Sequence, residues 1–168
     1  MALSVATLST ADLYGGKICA ALDRQHPRDL FDIKLLLENE GLTDAIRKAF
    51  IVYLVSHDRP LHELIDPPRK DFRKVFENEF SGMTDISVSY AELVAARECL
   101  FTRLRHELTG AERKFILSVK EGSPAWELLA LPGVDKLPAI QWKLQNIVKM
   151  SSVKHREQLK KLKGKLGL

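Results

Sequence analysis

The sequence predicts a mainly α protein, a multi-helix bundle with at most one or two short residual N-terminal strands, and three observations carry that prediction. Apolar residues recur at three- and four-residue steps along most of the 168 positions, as helices with one buried face require. Residues that satisfy the unpaired N–H groups of a helix start (single Ser or Thr caps and two Ser/Thr…Glu pairs) stand ahead of those runs. Only residues 3–8 and 86–88 look strand-like, and a lone short strand does not stabilise itself.

Taken in order, Ser9 or Thr10 caps a first helix running to about Arg24, and Asp12 sits where the positive helix end favours a carboxylate. His26-Pro27 then breaks the chain. Pro27 suits the first position of a second helix, where its missing N–H would go unpaired anyway. Leu30, Ile33, Leu36 and Leu37 form that helix's buried stripe, and Gly41 ends it. Thr43 starts a third helix through Val55, with Ala45, Ala49, Val52 and Val55 facing one way. Pro60, Pro67 and Pro68 make residues 58–70 hinge-like. Residues 69–80 read as a helix with Phe72, Val75, Phe76 and Phe80 on one face, and residues 82–88 as a connector.

Beyond the connector, Ser89…Glu92 and Thr109…Glu112 are reciprocal capping boxes that open helices of about 90–108 and 110–120. Ser123-Pro124 starts a short helical turn, and residues 131–138, LPGVDKLP, interrupt the chain before a helix from about Pro138 to Met150. A last helix follows, fraying at Gly164. Two helical subdomains, 11–83 and 84–168, are the expected division.

Bulk composition excludes several classes. A hydrophobic content of 45% with 29% charged residues fits a globular domain and not a disordered chain. No apolar run approaches the ~20 residues of a membrane span, and the N-terminus lacks the basic and apolar regions of a secretory signal, so a cytoplasmic protein is expected. Cys19 and Cys99 lie among apolar neighbours and read as buried free thiols. The net charge of +4 is uneven: residues 153–168 hold six Lys/Arg and one Glu, a balance of +5, which leaves −1 for the other 152 residues. That argues against a broad nucleic-acid face.

Motifs narrow the chemistry further. Gly15-Gly16-Lys17 suggests a phosphate loop, but Ala11 and Ile18 occupy positions that motif reserves for Gly and Ser/Thr. The five histidines show no paired spacing and the cysteines are eighty apart, so no Cys/His metal site is indicated. What stands out is the packing of Lys17, Asp23, Arg24, Arg28, Asp29 and Asp32 into sixteen positions of an apolar run. Lys17 and Arg24, seven apart, share a helix face, with small Ala20 and Ala21 between them. The break at His26-Pro27 lets that face meet Arg28, Asp29 and Asp32. Two readings are open. In one, Arg28 pairs with Asp32 on the helix surface and Asp29 serves the helix dipole. Alternatively, the corner holds phosphates and keeps a carboxylate to orient or deprotonate a hydroxyl.

Residues 12–33, DLYGGKICAALDRQHPRDLFDI, resemble the segment after the catalytic core in the AbiEii/AbiGii family of nucleotidyltransferase toxins, found in abortive-infection toxin–antitoxin pairs. The match lies in Lys17, Arg24 and Arg28-Asp29-Leu30-Phe31-Asp32, and extends to NEFSGM and LPAIQWKLQNI. The resemblance implies that Lys17, Arg24 and Arg28 bind the nucleotide and that Asp29 and Asp32 are catalytic or orienting carboxylates. It also implies an NTP with a divalent metal such as Mg, an antitoxin-like partner, and RNA as an acceptor. The family's Asp-x-Asp metal pair has no counterpart in this sequence. The expectation is therefore a C-terminal helical part of the toxin, with residues 1–10 a remnant of the missing core, inactive alone and dependent on the missing half. The alternative is a non-enzymatic helical module that binds an antitoxin, RNA or a second copy of itself.

Overall fold

The computed structural model describes residues 7–168, and over that range helices joined by short connections make up the protein. The local signals land where the physics places them. Ser9 accepts from the Asp12 N–H at the start of α1 (Thr10–Arg24), and Pro27 opens α2 (Pro27–Asn39). Thr43 caps α3 (Asp44–Ser56). After a short α4 (Leu61–Leu64), both capping boxes form, at α6 (Tyr90–Glu107) and α7 (Gly110–Glu121). Between α4 and α6, α5 (Arg73–Val75) continues as a π-helical turn over Phe76–Phe80. Two single 3-10 turns precede α8 (Pro138–Val148), and α9 (Ser152–Leu166) closes the chain.

Five expectations are corrected. Residues 86–88 form no strand, and no strand occurs among the described residues; residues 3–6 lie outside them. The helix expected over 69–80 begins only at Arg73 because Phe72, at φ −120° and ψ 15°, stays outside it. On α3 the buried face is Ile46, Phe50, Ile51, Leu54 and Val55, while Ala45 is exposed. That helix is covered on two sides, by α1 and by α7 with α8, so the stripe is wider than a single-partner pattern suggests. α9 does not fray at Gly164: burial of Leu162 and Leu166 carries it on to Leu166, where Gly167 caps it at φ 69°. Finally, Cys19 is buried but Cys99 is exposed.

The core is continuous through residues of α1, α2, α3, α6, α7 and α9. Ile18, Leu22, Leu30, Phe50, Leu93 and Phe115 are fully buried, each contributing roughly 1.5–3 kcal/mol by removal from water. α1 and α3 approach closely because Gly15 has no Cβ; one there would lie 2.7 Å from the Ala49 backbone carbon. Arg47 of α3 reaches Glu112, the capping-box carboxylate of α7, at 3.4 Å, so a helix cap also ties two elements together.

Candidate functional site

The α1–α2 corner is held by a residue the sequence did not single out. Gln25 adopts φ 53° and ψ 37°, a left-handed conformation that costs a non-glycine residue roughly 1–2 kcal/mol. Its buried side chain offsets that cost: Nε2 donates to the Pro68 carbonyl at 2.8 Å, and Oε1 accepts from the Lys70 N–H at 3.0 Å and from Arg97 at 3.2 Å. The turn is thereby fixed against the proline-rich passage and α6, and α2 leaves at a set angle.

That angle crosses the charges between helices. Lys17 on α1 pairs with Asp32 on α2, and Arg24 Nη2 donates to Asp29 Oδ1 at 2.7 Å. The surface pair Arg28–Asp32 does not form; Arg28 is exposed, and its Nη2 points to the Met83 sulfur at 3.5 Å. Arg28 thus leaves the cluster that Lys17, Arg24, Asp29 and Asp32 make. Asp23 faces the other way, to Arg59 at 2.6 Å and His57 at 3.8 Å.

Lys17 and Asp32 are equally accessible, but Arg24 differs from the carboxylate behind it. The Arg24 side chain is 62% exposed, whereas that of Asp29 is 12% exposed. Asp29 Oδ2 is buried and has no hydrogen-bond partner among the described residues. A buried carboxylate oxygen without a donor is expensive to keep, so this oxygen can accept a hydroxyl or N–H brought by a ligand. Exposed ion pairs themselves contribute only about 0–1 kcal/mol; stability alone is a weak reason for two crossed pairs.

Arg24 also borders a cavity of about 440 Å³ between α1 and α3, lined by Gly16, Ala20, Asp23, Tyr53, Ser56 and His57 among others. Its volume lies within the roughly 300–1,000 Å³ of small-molecule sites. Tyr53, Ser56 and His57 carried no motif signal; only the close α1–α3 crossing brings them beside Arg24. Cys19 lines this cavity too, yet burial pushes its thiol up to about 12, with Asp23 adding to the effect and Lys143 opposing it. It stays a neutral thiol and is a poor nucleophile.

Among the described residues no group of three or more His, Cys, Asp or Glu side chains could hold a metal ion, and no helix is long and apolar enough to cross a membrane. A family model described as nucleotidyl transferase AbiEii toxin, type IV TA system, matches residues 1–146. It covers the whole α1–α2 corner. Comparison with curated proteins and with solved structures found no match.

Proposed function

Since the chain belongs to the nucleotidyl transferase AbiEii toxin family of type IV toxin–antitoxin systems, we propose that its α1–α2 corner is the phosphate-facing wall of a nucleotide site. The observation that supports this most is the crossed pairing of Lys17–Asp32 and Arg24–Asp29 with the unmet Asp29 Oδ2 behind it. An incoming triphosphate takes hydrogen bonds from Lys17 Nζ and the Arg24 guanidinium, which are the strong, charge-assisted kind. Asp29 Oδ2 accepts from a hydroxyl and orients it. Asp32 holds Lys17 in place. Arg28 contributes charge from the rim, and the adjoining cavity takes the rest of the nucleotide.

Nucleotidyltransferases generally pair an NTP with a divalent ion. The donors described here do not fit one: the sequence has no Asp-x-Asp pair and the described residues offer no acidic cluster. The metal-holding carboxylates then belong to another polypeptide segment, and residues 7–168 bind nucleotide without transfer activity on their own. An antitoxin is the partner the family implies.

Titration of the chain with each NTP by calorimetry tests this. Lys17→Ala and Arg24→Ala should each weaken binding about tenfold or more, since a hydrogen bond to a charged group is worth about 1.5–3 kcal/mol. Arg28→Ala should weaken it less. Unchanged affinity in the Lys17→Ala/Arg24→Ala double variant would reduce the pairs to structural contacts. Transfer of labelled nucleotide to RNA by this chain, lost in Asp29→Ala, would overturn the inactive reading while leaving the site assignment in place.

A further inference from the structure

Where the end of α3 meets α7, α8 and α9, a cavity of about 180 Å³ is lined by Asp58, Lys120, Lys143, Asn146, Lys154 and Gln158, among others. Two of its lysines are interior: Lys120 is 4% exposed and Lys143 is 7% exposed. Their partners among the described residues are neutral. Lys143 Nζ donates to the carbonyl oxygens of His57 at 2.6 Å, Asp58 at 3.5 Å, and Arg59. Lys120 Nζ donates to Gln158 Oε1 at 2.7 Å and points to the Met150 sulfur at 3.5 Å, a weak acceptor. The only acid in the lining, Asp58, has a carboxylate 90% exposed and turned to His57 Nδ1 at 2.9 Å.

Buried charges are ordinarily paired, because an unpaired one costs several kcal/mol. Holding the carbonyls of the loop that follows α3 accounts for Lys143. It does not account for Lys120, which keeps a third N–H to spare, or for Lys154 at the rim. The three ammoniums also feel one another. Burial pushes Lys143 down to about 8 and Lys120 adds to that, while Asp58 and Cys19 oppose it; burial lowers Lys120 as well, with Lys154 adding. Three lysines against one aspartate give the lining a formal charge of +2. A phosphate monoester carries roughly −1.5 to −2 near neutral pH. The cavity is smaller than the roughly 300–1,000 Å³ usual for larger organic ligands, which favours a compact oxyanion.

We propose that this cavity is a phosphate site, taking inorganic phosphate or the phosphate of a monoester, with Lys120, Lys154 and the Asn146 amide as donors and Lys143 as a fixed positive wall. The site is separate from the α1–α2 corner and does not depend on the reading of that corner.

The test titrates the full chain, carrying Lys17→Ala and Arg24→Ala so that the corner loses both of its phosphate donors, with inorganic phosphate, a nucleoside 5′-monophosphate and the matching nucleoside at constant ionic strength. Saturable binding of phosphate or monophosphate, and none of the nucleoside, is expected; the tighter of the two shows whether the group arrives free or esterified. Lys120→Met should raise the thermal midpoint in phosphate-free buffer, by removing an unpaired buried charge, and weaken phosphate binding about tenfold or more. Lys154→Ala lies at the exposed rim, leaves the fold unchanged and should weaken binding a few-fold. Phosphate that stabilises no more than chloride, or equal phosphate affinity in wild type and Lys154→Ala, would overturn the proposal.

Discussion

Replacing Gly15 by alanine probes the contact on which the candidate site rests. In most helix interiors that exchange gains roughly 1 kcal/mol. At Gly15 the new Cβ would lie 2.7 Å from the Ala49 backbone carbon, 2.8 Å from Ala49 Cβ and 2.8 Å from the Phe50 nitrogen. Carbon atoms pack best at about 3.5–4.0 Å, so α1 must retreat from α3 by most of an ångström against backbone atoms that cannot rotate away. Overpacking of this kind costs about 1–3 kcal/mol, occasionally more. After the propensity gain, a net loss of up to about 2 kcal/mol remains, which lowers the thermal midpoint by up to about 8 °C for a chain of this size. Gly164→Ala is the internal control: a Cβ there meets nothing among the described residues within 4 Å, so it should stabilise by up to about 1 kcal/mol. Urea unfolding of both variants beside the wild type measures the difference. Gly15→Ala as stable as Gly164→Ala would refute the close α1–α3 crossing, and with it the placement of Tyr53 and His57 beside Arg24.

Three further outcomes are expected. Burial pushes the imidazole of His62 below its ordinary 6.5, with Lys161, Lys165 and Lys120 adding to the effect and Glu63 opposing it. The unfolded chain therefore takes up this proton first as pH falls below about 6.5, and stability drops until pH passes the lower folded value; His62→Gln should lose less stability than wild type between about pH 7.5 and 5.5, and parallel losses would exclude His62 as the titrating group. An aromatic disulfide reagent should modify Cys99 and spare Cys19 until the protein unfolds, because Cys99 is exposed while Cys19 is buried with a thiol at about 12; two equivalents released from folded protein would contradict that burial. Thr109→Ala removes a cap whose Glu112 also meets Arg47, so it should cost more than Ser89→Ala at its exposed cap, which is expected near the ~1 kcal/mol of an ordinary N-cap; equal losses would show that Arg47 gains nothing from the box.

Elements marked by local chemistry were legible in the sequence. Ser9, Pro27, Thr43, Ser89 and Thr109 open helices because each satisfies or lacks an N–H within a few residues of itself. Errors arose where a distant partner decides. Ile46, Phe50 and Leu54 face inward only because α3 is covered on two sides. Leu162 and Leu166 hold the last turn of α9 together despite Gly164. Cys99 has apolar neighbours in the chain, yet the packing of the described residues leaves it exposed.

The candidate site divides the same way. The sequence by itself determined which charges share the α1–α2 corner, since spacing along a helix and a proline break are local geometry, and it determined the family through Lys17, Arg24 and the Arg28-Asp29…Asp32 run. Tertiary structure decided which of those charges meet. Gln25, anchored to Pro68, Lys70 and Arg97, sets the angle that pairs Lys17 with Asp32 and Arg24 with Asp29 and turns Arg28 away. The interior lysines at 120 and 143 are likewise invisible in sequence, where each reads as a solvated helix charge. An ion pair or a buried ammonium depends on positions in space a few ångströms apart, and the partners that supply them lie anywhere from 5 positions along the chain, for Arg24 and Asp29, to 86, for Lys143 and His57.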